Sequence, residues 1–386
     1  MTETVILTPG DPAPWFRQRT SRNPRYAFES AAGRYIVLGF FLSAASPSWR
    51  AALEGLRPGR GHFDDKRACF FGVSADPGDE AHGRVSDSLP GIRIFWDFDL
   101  TISRLYGAVA KDARPEGELR GRQFFVVLDP TLRVLKVIAM QGDDGGAGAL
   151  LAYLATLPPP DRFAGFEIQA PVLILPNVFE PEFCRTLIGL YDAEGGTESG
   201  FMREVDGKTV AVSDRGHKSR RDYNIADRAI VAATQARITR RVVPEILKVH
   251  QFQTTRMERY IVACYAAEDE GHFNPHRDNT TKGTAHRRFA VSINLNEDYD
   301  GGDLSFPEYG PRTYKAPAGG AVVFSCSLLH AVSRVTRARR YAFLPFLYDE
   351  AAAKLRAANN QYLDEGVGQY TAHPPPPTLE GATKET

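Results

Sequence analysis

The sequence predicts a protein of two domains in 386 residues, an α/β domain with a central sheet followed by a strand-rich domain with flanking helices. Three observations predict this. Up to residue 157, β-branched and aromatic runs alternate with amphipathic stretches. A break at Leu157-Pro158-Pro159-Pro160-Asp161 follows. Beyond it, apolar strand-like runs gather around His276-Arg277-Asp278 and His330.

In the first domain, residues 1–157, RYIVLGFFL from Arg34, ACFFGVSAD from Ala68 and QFFVVLDPTLRVLKVIAM from Gln123 are strand-like, and PSWRAALEGL from Pro47 is helix-like. Consecutive prolines cannot continue a helix and favour extended geometry, which makes residues 158–170 a semi-rigid linker. The second domain, 171–350 with its core over 256–350, opens on a strand in APVLILPN. A helix then starts near Glu180 and Pro181, with Phe183, Leu187, Leu190 and Tyr191 on one face. Residues 200–224 are polar and Arg-rich with a turn at Asp206-Gly207, and are expected to form a solvated loop carrying His217, Arg220 and Arg221, with contact to an anionic substrate group as the alternative for these three. Ile225, Ile230, Ala233, Ile238 and Val242 recur at helical spacing. His272 and His286 are expected at a polar rim. Gly301-Gly302 and Gly319-Gly320 are expected in turns that need positive φ or close backbone approach. Residues 351–386 read as a short helix and a disordered Pro-rich tail.

Basic and acidic residues number 47 each, which gives no electrostatic case for a nucleic-acid or membrane partner. No long apolar run and no signal-like start is present, so a cytoplasmic protein is expected. Cys69, Cys184, Cys264 and Cys326 form no CxxC and sit in apolar surroundings, as buried free thiols do.

His276 and Asp278, two apart on an extended segment, are expected to point to one face. His330 follows AVVFSCSLL, which reads as a separate strand. Two imidazoles and one carboxylate on one side of a metal leave the other positions open, the arrangement of non-haem Fe(II) oxygenases, although zinc accepts the same ligands. The spacing alone is weak. With nine His and 47 acidic residues, chance places an acid two after a His about once, and His62-Phe63-Asp64 in a charged stretch is such a decoy.

The company of His276 is more specific. VACY, HFNPHRDN, NLNEDYDGGDLSFPE, LLHAVSRVT and RRYAFLPFLY closely resemble the prolyl-4-hydroxylase-like branch of the Fe(II)- and 2-oxoglutarate-dependent dioxygenases, over roughly residues 170–350. The resemblance implies a double-stranded β-helix, or jelly roll, with the iron at its open end. It makes His276, Asp278 and His330 the iron ligands, and Arg340 the residue that grips the distal carboxylate of 2-oxoglutarate, with Arg339 one position away. Tyr265 matches a tyrosine that helps hold 2-oxoglutarate. Asn294 stands where relatives often carry another tyrosine, and its amide can still donate a hydrogen bond there. Residues 200–224 would border the mouth of the site.

The first domain resembles peroxiredoxins through GDPAPWF, GVSADP, FWDFDLTISRLYGA and FFVVLDP, which implies a thioredoxin-like fold. That family places its reactive cysteine in the loop after the first long strand. Here the loop is LSAASPSWRAAL, with Ser43, Ser46 and Ser48, and no cysteine precedes Cys69. A serine cannot supply a thiolate, so the domain is expected to be inactive, and Arg122 would lack its partner. Its expected roles are homodimerisation, holding a partner or stabilising the second half.

The function implied is hydroxylation of a C–H bond in a protein residue, amino acid or small metabolite, with Fe(II), 2-oxoglutarate and O2, and with ascorbate as accessory reductant. The alternatives are a non-catalytic iron or 2-oxoglutarate sensor and a thiol peroxidase acting through the first domain.

Overall fold

A computed structural model describes residues 4–116 and 119–370. The Pro-rich run expected as a disordered tail falls at 371–386, outside the described residues. The chain divides into two compact units, the first reaching Ala170 and also taking in Pro307–Pro311, the second beginning at Pro171.

The first unit is built on a five-stranded mixed sheet. Its strands are β1 (Tyr35–Leu42), β2 (Ala68–Ser74), β3 (Ile92–Trp96), β4 (Phe124–Leu128) and β5 (Val134–Ala139), in the order β3-β2-β1-β4-β5. The first three are parallel, β4 adds antiparallel to β1, and β5 adds antiparallel to β4. β1, β2 and β4 are buried almost end to end because both faces of the sheet are covered there, whereas the edge strands β3 and β5 carry Arg93 and Lys136. On one face Phe41 stacks on Trp49 at 4.0 Å, beneath α1 (Pro47–Leu56) and α2 (Ala147–Thr156). On the other, Phe71 stacks on Phe95 at 5.0 Å and Phe16 on Phe28 at 4.6 Å. Ser46 caps α1 by accepting the Trp49 amide, worth about 1 kcal/mol for such a cap.

The second unit is antiparallel. Its larger sheet contains β6 (Leu173–Leu175), β9 (Arg221–Asn224), β10 (Ile261–Ala266), β12 (Phe289–Asn294), β13 (Ala321–Ser325), β15 (Arg339–Phe343) and β16 (Phe346–Tyr348). The smaller sheet runs from Lys218–Ser219 through β11 (His272–His276) and β14 (His330–Val332) to Leu304–Ser305 and Thr313–Tyr314. Three helices, α3 (Pro181–Glu194), α4 (Arg228–Arg241) and α5 (Val243–His250), pack on the larger sheet, and α6 (Glu350–Ala358) follows β16. The expected helix at Glu180-Pro181 and the helices over 225–257 are therefore present. Residues 200–224, expected to be a loop, instead contain the hairpin β7 (Phe201–Val205) and β8 (Lys208–Val212), then Lys218–Ser219 and β9. The DG turn closes that hairpin, and the Arg-rich segment is recruited as strands because β10 and β11 each offer an edge to pair with.

Strand alternation decides what reaches the interior of the second unit. Val262, Cys264 and Ala266 of β10, Val291 and Ile293 of β12, and Tyr341 and Phe343 of β15 join the core under the helices. Their neighbours Tyr265, Ser292, Asn294 and Arg340 therefore face the other way. All four cysteines are free and buried, as expected.

One buried carboxylate makes the first unit sensitive to pH. Asp97 accepts the amides of Ile102 (2.8 Å) and Ser103 (2.7 Å), and burial pushes its carboxyl up to about 6 against the pull of those bonds. The folded state thus holds a proton that the unfolded chain has released, so this contribution is full below pH ~4 and lost as pH rises through 6. Trp15, Trp49 and Trp96 are the only tryptophans, and all lie in the first unit. Unfolding followed by tryptophan fluorescence should show about 1 kcal/mol less stability at pH 7 than at pH 5 from this group, a difference that Asp97→Asn removes.

Candidate metal centre

Two adjacent strands of the smaller sheet bring the two histidines face to face. β11 and β14 run antiparallel with His276 directly opposite His330, their rings 4.2 Å apart, after an irregularity between Phe273 and His276. Asp278 does not share their strand, as the alternation of an extended segment would have it. β11 ends at His276, and Asp278 sits in the turn that follows, where its amide donates to the Cys326 carbonyl at 3.0 Å. The turn carries the carboxylate back between the two rings, with Oδ1 3.6 Å from His276 Nε2 and Oδ2 3.4 Å from His330 Nε2.

The other nitrogen of each imidazole is already engaged. His276 Nδ1 lies 2.8 Å from the Asn274 carbonyl and His330 Nδ1 3.0 Å from that of Leu328. A carbonyl only accepts, so Nδ1 carries the proton and Nε2 presents its lone pair inward. Burial, and then the neighbouring His330, hold His276 well below the usual histidine value and keep it neutral. One ligand atom from each of His276, Asp278 and His330 lies within 4.8 Å of the others, a group that could hold a metal ion. Among the described residues no such group forms at the His62 and Asp64 decoy.

Arg340 lies deeper in the same unit. In register opposite Tyr265, it is 3 % exposed. Its Nε donates to Asn294 Oδ1 at 3.0 Å and one Nη to Ser292 Oγ at 2.9 Å. The remaining Nη1 and the hydroxyl of Tyr299 are buried without a hydrogen bond of normal geometry among the described residues, although the two groups lie close enough for the Arg340 charge to act on the Tyr299 phenol. A buried guanidinium with a vacant donor demands an acceptor, and a carboxylate meets that need. Gly302, at φ +66°, makes room for it, since a Cβ there would lie 3.0 Å from Arg340 Cδ. Arg339 points outward instead and pairs with Glu268 on the surface. Asn294 donates one of its two Nδ2 hydrogens to the Ala316 carbonyl at 2.7 Å, and its Oδ1 accepts from Arg340 Nε and so positions that guanidinium.

Sequence reading missed three residues. Arg220, expected in a solvated loop, is 5 % exposed because Asp222 takes two of its donors at 2.7 Å. Its Nη1 donates to the Tyr265 hydroxyl at 3.2 Å, so Tyr265 lies between Arg220 and Arg340. Lys218 is buried too and shares Ser199 Oγ with Arg220. Burial, then the charges of Arg220 and Arg259, push its ammonium down to about 5. Lys218 lies over Phe273, whose ring stacks on His276 at 3.4 Å. Contacts thus run unbroken from Arg340 to His276. Ser292 is the third residue, and with Asn294 it left a trace in the sequence: two polar residues two apart in an apolar strand.

His272 and His286 are buried rather than on a rim. His286 packs 3.1 Å from Glu258, which also pairs with Arg287 and Arg356. Burial opposes ionisation of Glu258, yet Arg287, His286 and Arg356 hold it well below the usual carboxylate range. In the first unit, Ser43 and Ser46 flank the start of α1, and Ser43 is tied to Asp76 at 2.6 Å. Burial pushes the Cys69 thiol up to about 12, the reverse of what a reactive thiolate needs. Arg122 lies over the ring of Phe124 at 5.1 Å.

With this geometry in hand, the 2OG-Fe(II) oxygenase superfamily description matches residues 260–348. A PKHD-type hydroxylase of Paracoccus denitrificans (strain Pd 1222) is 31% identical over 175 residues, covering 40% of this chain and 75% of the hydroxylase. The chain belongs to the 2OG-Fe(II) oxygenase superfamily. A second relative, a PKHD-type hydroxylase of Synechococcus sp. (strain JA-2-3B'a(2-13)), is 34% identical over 89 residues, 21% of this chain, and the chain spans 39% of its length. Similar solved structures include a Pseudomonas putida prolyl-4-hydroxylase, with TM-score 0.36 and 16% identity over 49% of this chain and 96% of that one. Another is Peroxidoxin BcpB from Mycobacterium tuberculosis, with TM-score 0.32 and 21% identity over 39% of this chain and 99% of that one. The superfamily segment encloses Tyr265, His276, Asp278, Asn294, His330 and Arg340.

Two outcomes test the centre. Asp278→Ala should weaken Mn(II) or Zn(II) binding measured by calorimetry by more than about 100-fold, beyond the loss of a mere supporting group. His62→Ala should leave it unchanged. Asp222→Ala strands Arg220 and Arg259 and should cost about 3–5 kcal/mol, read as a lowered unfolding temperature by scanning calorimetry.

Proposed function

We propose that this chain is an Fe(II)- and 2-oxoglutarate-dependent dioxygenase that hydroxylates a C–H bond of a protein residue, an amino acid or a small metabolite and releases succinate and CO2. The observation that carries this reading is Arg340, a buried guanidinium with a vacant Nη1, joined by contacts to a two-imidazole, one-carboxylate cluster. A zinc site would use the same three ligands, but it gives no reason for that vacant donor. The antiparallel sheets of the second unit support a double-stranded β-helix, and the mixed sheet of the first supports a thioredoxin-like fold without peroxidase chemistry.

His276, Asp278 and His330 would hold Fe(II), and Arg340 would anchor the distal carboxylate of 2-oxoglutarate. Together these groups supply O2 activation and C–H oxidation when bound, with ascorbate as the accessory reductant. The chain itself positions and excludes. The Asn274 and Leu328 carbonyls fix the imidazole tautomers. Asn294 and Ser292 aim the Arg340 fork. The Tyr265 hydroxyl accepts from Arg220, which frees its own proton for a carboxylate oxygen. Phe273 against His276, and Phe324 at 4.7 Å from His330, line the metal side with apolar rings and limit water.

The test is succinate release from 2-oxoglutarate in air with Fe(II) and ascorbate. Slow release by the native chain should be lost in His276→Ala and in Arg340→Ala. Asn294→Ala should keep kcat and raise KM for 2-oxoglutarate about 10-fold, the scale of one hydrogen bond to a charged group. A native chain that binds Fe(II) yet neither binds 2-oxoglutarate nor forms succinate would sink the proposal.

A further inference from the structure

The cations beside the metal cluster outnumber the carboxylates available to them. Asp222 is one charge shared by Arg220 at 2.7 Å and Arg259 at 3.4 Å, and Ser199 donates to it as well at 2.5 Å. Among the described residues Arg340 has no carboxylate partner, and Asp278 belongs to the metal cluster. Guanidiniums stay charged when buried. A divalent metal and the dianion of 2-oxoglutarate cancel each other, so with Asp222 and Asp278 set against Arg220, Arg259 and Arg340 the loaded site keeps one positive charge uncompensated. Burying such an excess is costly unless an anion arrives with the substrate.

Arg259 is the residue built to meet that anion. Its backbone is left-handed, φ +72°, an uncommon conformation for a residue with a side chain. Its guanidinium lies over the Phe346 ring at 5.2 Å, which fixes the plane of the fork. Among the described residues its only hydrogen bond is the long one to Asp222, so most of its five donors are unspent. Its side chain keeps 27% of its exposure, enough to be reached from outside. Arg287, over the same ring at 4.1 Å, is by contrast satisfied by Glu258 at 2.8 Å, and its Nη1 reaches the Asp278 carbonyl at 3.4 Å. That contact ties the Arg259 and Phe346 platform to the metal ligand.

We propose that the substrate carries an anionic oxygen group, a carboxylate or a phosphate, which seats on Arg259 beside the metal centre. This rests on the dioxygenase reading and names its substrate class. The uncharged remainder of the substrate, bearing the C–H bond, would then lie toward His276 and His330.

The test uses the full chain loaded with Mn(II), with and without 2-oxoglutarate, and three small probes. These are inorganic phosphate followed by 31P resonance, trifluoroacetate by 19F resonance, and trifluoroethanol as the neutral control. Paramagnetic broadening of an anion in the presence of 2-oxoglutarate, absent for trifluoroethanol, should fall at least fivefold in Arg259→Gln and only partly in Arg259→Lys. The anion broadened more strongly identifies the group. Scanning calorimetry of both variants checks that they fold. No anion broadening in the wild type, equal broadening in Arg259→Gln, or equal broadening by trifluoroethanol would overturn the proposal. Failure of 2-oxoglutarate to bind, measured by calorimetry on the same samples, counts against the dioxygenase reading, while phosphate binding to the metal-free chain, compared by calorimetry between the wild type and Arg259→Gln, still decides Arg259.

Discussion

The second unit depends on the pairing of His276 with His330 across two antiparallel strands. Cross-strand neighbours sit closer than residues adjacent on one strand face, so two imidazoles can share one metal from directly opposed positions. The third group then has to come from a turn, because a further strand residue on that face would be too far along. Asp278 comes from the turn after β11, held by the Cys326 carbonyl, and the irregularity after Phe273 supplies the adjustment that aligns the pair.

Alternation along the larger sheet then fills the rest of the site. Val262, Cys264 and Ala266 of β10, Phe289, Val291 and Ile293 of β12, and Tyr341 and Phe343 of β15 are committed to the core beneath the helices. The intervening Tyr265, Ser292, Asn294 and Arg340 face one interior, where a charged side chain persists only if its donors are met. Most are met by serine and asparagine, and the unmet one marks where a ligand belongs. Positive charge concentrates there because Asp222 is shared between Arg220 and Arg259, a shortage of anion rather than a surplus of surface lysines.

Much of this was legible in the sequence, and what was not has a physical reason. The strands of the first unit and the helix at Pro181 were legible because buried parallel strands are continuous apolar runs and Pro opens helices. Arg340 was separable from Arg339 only through register, since alternation says that one turns inward without saying which. Arg220 was illegible because its burial depends on Asp222 two residues on and on an edge of β10 some forty residues away. His286 was illegible for a similar reason, its partner Glu258 being distant in sequence. Asn294 stood at the expected place but turned its amide to a backbone carbonyl, a choice set by the chain at Ala316.

The measurement that bears most directly on the account is calorimetric titration of the full chain with 2-oxoglutarate, with and without a divalent metal, for the wild type and Arg340→Ala. The geometry predicts binding that needs both the metal and the Arg340 guanidinium, because the two ends of the ligand are held by different groups. Affinity that is the same without metal, or the same in Arg340→Ala, would contradict it.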